Sequence, residues 1–146
     1  MAMAERSATT VWEGSLPKGK GTLNGASGAL SDLGVSWASR TERSNGQTSP
    51  EELIAAAHSS CFSMAMSNEL SQSGSDPERL EVTAKVTLDE QDGAPTVTTS
   101  ELTVTGKVPG IDQAGFESAA QEAGKNCPIS RALAGVQISV SATLES

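Results

Sequence analysis

The chain has 146 residues, enough for one domain to bury a core without disulfide or metal cross-links, and we predict a single domain over 1–146. Its net charge of −8 argues against nucleic acid as a partner, because phosphates need a basic face, and against anionic membrane surfaces. No segment approaches the ~20 consecutive apolar residues of a membrane span, so no membrane is expected.

The first third of the chain predicts short strands in hairpins. The runs TTVWEG, GTLNG and VSWASRTE are strand-like and are separated by clusters of Gly, Asn, Ser and Pro. In the third run we expect Trp37 and Arg40 to point to opposite faces, because side chains alternate along a strand. An arginine on the buried face would need a partner, since burying an unpaired charge is costly.

A long helix is predicted over 51–71. Ser49 is an N-cap candidate, Pro50 suits the first helical position, and Glu52 has the spacing of a capping box. An apolar stripe follows at helical spacings: Leu53, Ala57, Cys61 and Met64. The other faces are also apolar, so we expect the helix to be largely buried.

The second half of the chain predicts two paired strands, two helices and a last strand. Alternating apolar residues over 80–88 indicate the first strand, and VTTSELTVTGKV pairs back with a bulge because its apolar positions change phase. Asp112 is placed to cap a helix that Gly124 would end. The inward residues of that helix are Phe116, Ala119, Ala120 and Ala123. A short helix and a strand over 136–144 complete an α+β fold, an antiparallel β-sheet wrapped on a long buried central helix.

The chain has two cysteines, Cys61 and Cys127. They could form a structural disulfide or a reversible redox pair, or be two unrelated buried residues. The N-terminal segment lacks a basic region followed by an apolar core, so we expect no secretory signal and a cytoplasmic location. Disulfides that form in the cytoplasm are more often catalytic or sensing than structural. With one histidine, His58, the chain does not favour a zinc or iron–sulfur site, and we expect no metal and no bound cofactor.

Each cysteine has an ordinary interpretation beside a chemical one. Cys61 lies on an apolar helix, where cysteine commonly packs as a small hydrophobe. His58, one turn earlier, could act as its base, but an ordinary hydrogen-bonded histidine is favoured. Cys127 precedes Pro128 and would lie at a helix N-terminus, where free amides favour an anion. Local electrostatics therefore make Cys127 the more acidic thiol.

Both cysteine segments resemble motifs of a known family. SPEELIAAAHSSCFSMAM and NCPIS are similar to the two cysteine motifs of the osmotically inducible protein C (OsmC/Ohr) family of organic hydroperoxide reductases. VWEGSLPKGKGTL and VPGID resemble it too, and HSSCFSMA and NCPISRAL favour the OsmC branch. The resemblance covers nearly the whole chain. It implies an α+β fold, an intertwined homodimer with two active sites at the interface, and reduction of organic hydroperoxides by two cysteines without metal or flavin.

The same resemblance implies roles for four residues. Cys61 would attack the peroxide and Cys127 would resolve, which reverses the order that local electrostatics favour. Arg40 would contact the reactive thiolate, and Glu51, which by itself only balances a helix dipole, would partner that arginine. The cycle would run through a Cys61 sulfenic acid and a Cys61–Cys127 disulfide, which an external dithiol, of the dihydrolipoyl type in this family, reduces. The candidates for an apolar lining near Cys61 are Phe62, Met64 and Ile129.

Helix geometry adds one expectation. Glu51 and Cys61 are roughly 15 Å apart along a straight helix, so one Arg40 could hardly touch both. We therefore expect the Arg40–Glu51 pair that serves a given Cys61 to include groups of the partner subunit. Two alternatives to the enzyme stay open. The chain could be a non-enzymatic thiol redox sensor or binding module on the same fold, or a domain whose cysteines are core residues.

Overall fold

The computed structural model describes all 146 residues, Met1–Ser146, as six strands and four helices. The chain forms two compact units, Met1–Leu53 and Ile54–Ser146, and the boundary falls in the first turn of the long helix. The single domain over 1–146 stays a prediction. None of the helices has the length and apolarity that crossing a bilayer requires.

The first unit contains a three-stranded antiparallel sheet. Strand β1 (Ala8–Glu13) pairs with β2 (Lys20–Gly25), which also pairs with β3 (Leu33–Val35). The strands predicted from TTVWEG and GTLNG are therefore confirmed. Strand β1 is exposed along its whole length, and its apolar side chains Val11 and Trp12 face solvent.

The predicted strand in VSWASRTE is wrong, because α1 (Trp37–Thr41) is a helix. The Ser36 hydroxyl accepts a hydrogen bond from the Ser39 amide at 3.0 Å, and the Ser39 hydroxyl accepts one from the Ser36 amide at 2.9 Å. This capping box starts the helix directly after β3. Trp37 and Arg40 therefore share one helix face, with the guanidinium carbon 6.0 Å from the centre of the indole ring, and do not point to opposite sides.

The long helix is confirmed as α2 (Pro50–Gln72), within one residue of the prediction at each end. The Ser49 hydroxyl accepts a hydrogen bond from the Glu52 amide at 3.1 Å, and Pro50 is the first helical residue. The Glu52 carboxylate does not close the capping box. It accepts a hydrogen bond from the Thr48 hydroxyl at 2.6 Å instead.

The buried face of α2 differs from the predicted stripe. Four residues of this face, spaced four apart, have no exposed surface: His58, Phe62, Met66 and Leu70. The predicted stripe is half-buried at Leu53, Ala57 and Cys61, and Met64 is 70% exposed. Because α2 is apolar on most faces, spacing alone cannot select the one that meets the core. Only one stripe of this helix is fully buried, and part of its apolar surface faces outward.

The second unit holds a mixed sheet. Strand β4 (Arg79–Gln91) pairs antiparallel with β5 (Ala94–Lys107), and the predicted bulge is confirmed by a register shift between Thr87 and Leu88. Strand β6 (Gln137–Leu144) pairs parallel with β5. The α+β class is confirmed, but the strands form two sheets and one pair is parallel. The parallel pair arises because the chain passes from β5 to β6 through two helices, as a crossover requires.

Those helices are α3 (Gln113–Asn126) and α4 (Pro128–Ala132). The Asp112 carboxylate caps α3 by accepting a hydrogen bond from the Gly115 amide at 2.8 Å, and the four predicted inward residues are the buried ones. The helix continues past Gly124. The core of this unit is formed by α3, the buried stripe of α2 and the inner face of β5: Leu102, Val104, Phe116 and Ala120 are among its members.

Gly106 of β5 marks a tight point of this core. A Cβ atom there would lie 2.7 Å from the Phe116 ring and 2.9 Å from the Leu80 side chain. We expect Gly106→Ala to lower the free energy of unfolding by about 1–3 kcal/mol, because overpacking forces neighbouring atoms to move. Urea denaturation measures the loss. Gly135→Ala is the control, because its Cβ would have no neighbour within 4 Å, and an equal loss there would contradict the explanation.

Candidate active site

The two cysteines meet in the second unit. Cys61 is half-buried on α2, and Cys127 has no exposed surface. Cys61 packs against the core cluster that includes Cys127, and Cys127 is close enough to influence the ionisation of the Cys61 thiol. Both are free thiols. Proximity of two free thiols is a precondition for a reversible redox pair.

Cys127 is fixed by the backbone on both sides. It is the C-cap of α3 and also the N-cap of α4, and Pro128 is the first residue of α4, as predicted. Its amide donates to the Ala123 carbonyl at 2.8 Å, and its carbonyl accepts from the Arg131 amide at 3.0 Å. The thiol therefore sits at a junction whose backbone hydrogen bonds belong to two helices.

Three influences act on the acidity of Cys61. Burial is the largest and raises the pKa of the thiol, while the backbone N–H of Ile129 donates to the sulfur and lowers it. The hydrogen bond and charge of Cys127 raise the pKa further, so the net direction is upward. The sequence predicts that the amides at this helix start favour an anion on Cys127. The Ile129 amide instead lowers the pKa of Cys61. The second unit by itself leaves the Cys61 thiolate in need of stabilisation.

His58 is fully buried and makes hydrogen bonds through both ring nitrogens. Nδ1 lies 2.7 Å from the Ser100 hydroxyl of β5, and Nε2 lies 2.8 Å from the Ser130 hydroxyl of α4. Burial lowers the pKa of His58, which favours the neutral ring, with one nitrogen donating and the other accepting. The hydrogen-bonded histidine that the sequence favoured is confirmed.

Neither serine stood out in the sequence. Ser100 shares a face of β5 with Leu102 and Val104, and all three are fully buried. A hydroxyl in phase with core residues must find a partner, because an unpaired buried hydroxyl is costly. The alternation of Ser100 with buried residues of β5 was therefore the feature of the sequence that could have predicted its hydrogen bond. Ser130 offered none, because its burial depends on where α4 packs.

Arg40 and Glu51 form an ion pair within one chain, in the first unit. The Arg40 Nε lies 3.0 and 3.1 Å from the two carboxylate oxygens of Glu51, and Nη2 lies 2.9 Å from Oε2. The Glu51 side chain is 10% exposed and that of Arg40 is 31% exposed. The pair orients the guanidinium firmly, since both partners are planar and share several hydrogen bonds. The contact of Arg40 with the thiolate stays a prediction.

The predicted apolar lining has three different outcomes. Phe62 is a fully buried core residue, Met64 is exposed, and Ile129 is half-buried against the core cluster. The structure has no group of three or more His, Cys, Asp or Glu side chains arranged to hold a metal ion.

We expect the neutral His58 to make stability depend on pH. Its folded pKa lies below the unfolded value of about 6.5, so the unfolded chain binds a proton that the folded protein excludes. The His58 contribution is fully present above about pH 6.5. It is lost by up to about 1.4 kcal/mol per pH unit as the pH falls toward the folded pKa.

Urea denaturation at successive pH values below neutrality measures this loss. His58→Gln is the control, because it removes the titrating group and leaves the carboxylates that also respond to acid. Wild type should lose stability more steeply than the variant. Parallel curves for the two proteins would contradict the assignment.

Comparison with known proteins places these features in a family context. Residues 43–141 match the family described as OsmC-like protein. The chain is 42% identical over 122 residues to the peroxiredoxin OsmC of Escherichia coli (strain K12), covering 84% of this chain and 85% of that protein.

Two solved structures show the same fold. One is an organic hydroperoxide resistance protein OsmC from Legionella pneumophila, with a TM-score of 0.70, 21% identity and all of both chains covered. The other is the organic hydroperoxide resistance protein OhrB of Bacillus subtilis, with a TM-score of 0.69, 21% identity, and 95% of this chain and 98% of that one covered. At this identity the likeness bears on the fold alone.

Proposed function

The chain belongs to the OsmC-like protein family, and from this we propose that it is a thiol-dependent peroxidase that reduces organic hydroperoxides to alcohols. The observation that carries the proposal is the proximity of the Cys61 and Cys127 thiols, because a two-cysteine peroxidase needs a second thiol near the first. The relative that is 42% identical is named a peroxiredoxin. We propose an external dithiol, of the dihydrolipoyl type, as the reductant, and a cytoplasmic location.

In the first step the Cys61 thiolate attacks the O–O bond of the peroxide. The sulfur takes one oxygen and becomes a sulfenic acid, and the other oxygen leaves with the bonding electrons as an alkoxide that is protonated to the alcohol. Because burial raises the pKa of Cys61, the thiolate needs a stabilising partner. The Ile129 N–H supplies one hydrogen bond. We propose that Arg40, oriented by Glu51, supplies the positive charge.

In the second step Cys127 resolves the intermediate. Its sulfur attacks the Cys61 sulfur, the disulfide forms, and the oxygen leaves as water. Both thiols belong to one chain and lie near each other, so the reaction is intramolecular and needs no encounter between molecules. An external dithiol then restores both thiols by exchange. We expect it to attack Cys61, because Cys127 has no exposed surface.

We propose that the protein is a homodimer. Large apolar side chains face outward in both units: Met64 on α2 is 70% exposed, and Val11 and Trp12 on β1 are 59% and 41% exposed. Exposed apolar surface of this kind marks protein–protein contacts, and a twofold dimer would use the same surface of both subunits. The family resemblance adds the expectation that the active sites lie at the interface.

Within this dimer, we propose that Arg40 serves the Cys61 of the partner subunit. By the rise of an ideal α-helix, the ten positions that separate Glu51 from Cys61 in the sequence correspond to roughly 15 Å. Arg40 is bound through several hydrogen bonds to the Glu51 of its own chain. An arginine held at the first turn of α2 is suited to a thiol of another chain.

The two cysteines can be tested separately. Cys61→Ser should abolish consumption of tert-butyl hydroperoxide, and Cys127→Ser should complete one oxidation and leave Cys61 oxidised. By mass spectrometry, wild type treated with one equivalent of peroxide should lose about two mass units, the two thiol hydrogens, and neither variant should show this loss. Unchanged turnover in Cys61→Ser would sink the proposal.

Steady-state turnover with dihydrolipoamide or dithiothreitol separates an enzyme from a sensor. An enzyme consumes many equivalents of peroxide, whereas a sensor stops after one. Two free thiols after peroxide treatment would instead mark Cys61 and Cys127 as core residues.

Subunit complementation tests the dimer and the placement of Arg40 together. Arg40→Ala and Cys61→Ser should each be inactive alone. In a mixed dimer, the intact Arg40 of one subunit can serve the intact Cys61 of the other, so random mixing should recover about a quarter of wild-type turnover. A mixture of Cys61→Ser with Cys127→Ser is a control that must stay inactive if Cys61 and Cys127 react within one chain. No recovery in the first mixture would place Arg40 and Cys61 in the same chain.

A further inference from the structure

We propose that His58 is a positioning residue for the resolving step. By binding Ser130, it holds the start of α4 against α2, and so keeps Cys127 aimed at Cys61. This inference rests on the proposed function, because it concerns the rate at which the sulfenic acid is converted to the disulfide. His58 itself has no role in the chemistry as proposed above.

Two neighbouring hydrogen bonds join α2 to α4. His58 and Cys61 are three residues apart on α2, so they lie on neighbouring positions of one helix face. Their partners, Ser130 and Ile129, are adjacent in α4. His58 Nε2 lies 2.8 Å from the Ser130 hydroxyl, and the Ile129 N–H donates to the Cys61 sulfur. Both contacts act on the first turn of the helix that Cys127 caps.

The other side of the imidazole is anchored in the sheet. His58 Nδ1 lies 2.7 Å from the hydroxyl of Ser100, a central residue of the second sheet. Ser100 pairs with Val86 of β4 on one side and with Ile138 of β6 on the other. The ring is therefore bonded to the central strand β5 on this side, whereas its bond to Ser130 is the one that reaches α4.

This link matters because α4 cannot hold its own position. It has five residues, far fewer than an isolated helix needs to be stable in water, so its place depends on tertiary contacts. An apolar side chain could fill the same volume, but a hydrogen bond also fixes distance and direction. A displacement of about 1 Å between reacting groups can slow a reaction roughly a hundredfold. The His58–Ser130 bond is thus placed to control how well Cys127 meets the oxidised Cys61.

The test compares Ser130→Ala with Ser100→Ala. Each variant removes one buried hydrogen bond to the same imidazole, so a merely structural effect should be alike in both. Rapid quenching followed by mass spectrometry yields two rates: oxidation of Cys61, which rises with peroxide concentration, and disulfide formation, which does not. We expect Ser130→Ala to slow disulfide formation about fivefold, the factor for one ordinary hydrogen bond, with a far smaller change in oxidation. Ser100→Ala should leave disulfide formation within about twofold of wild type.

A second pair of variants changes the histidine. The amide of His58→Gln can reach the position of Nε2 and bond to Ser130, whereas the amide of His58→Asn reaches only the position of Nδ1, toward Ser100. We expect Gln to restore rapid disulfide formation and Asn to behave like Ser130→Ala. In the slow variants the sulfenic acid persists, so excess peroxide should carry Cys61 on to sulfinic acid.

The outcomes are distinct from a failure of the proposed function. If wild type forms no disulfide with peroxide, the proposed peroxidase is wrong. If wild type forms it and folded Ser130→Ala forms it equally fast, the positioning role is overturned. Equal slowing in Ser100→Ala and Ser130→Ala also overturns it, because it would show general loosening. Should Ser130→Ala not fold, the Gln and Asn variants decide by the same comparison.

Discussion

The proximity of the Cys61 and Cys127 thiols is the constraint on which the rest of this structure depends. One thiol lies on a long helix and the other at a junction between two helices, so α2, α3 and α4 must all be in place to bring them near each other. Burial at this position raises the pKa of Cys61, so its thiolate is harder to form. For the proposed peroxidase, the site thus places the two thiols near each other but leaves the Cys61 thiolate in need of a stabilising partner.

Much of the fold could be predicted from local patterns. The bounds of α2, the buried residues of α3 and the bulge in β5 follow from caps, periodicity and phase, which lie within a few residues of each other. The errors arise where tertiary contacts decide. In VSWASRTE, the capping box at Ser36 starts a helix where a strand is predicted. In α2, several faces are apolar, so packing and not spacing determines that the face with His58 and Phe62 is buried.

The sequence supplies candidate residues for the site but not the hydrogen bonds that surround them. The family motifs point to Cys61, Cys127, Arg40 and Glu51, and in the structure the two thiols lie near each other and Arg40 pairs with Glu51. The sequence predicts that the free amides at the start of α4 stabilise an anion on Cys127, because that residue directly precedes the helix. The Ile129 amide reaches across to Cys61 instead. The side chain that accepts hydrogen bonds from a helix N-terminus is set by tertiary packing, which short-range sequence patterns do not reveal.

The hydrogen bond between His58 and Ser130 also has a consequence for the order of folding. It joins residues 72 positions apart, and the parallel pairing of β5 with β6 likewise waits for a long stretch of chain. Contacts of large sequence separation form late, because a long loop must close before they are made. Helix α2, which carries Cys61, can form early from local interactions, whereas Cys127 comes near it only in the finished tertiary structure. Under the proposed mechanism, a partly folded chain would therefore expose Cys61 to irreversible oxidation before a resolving thiol is in place.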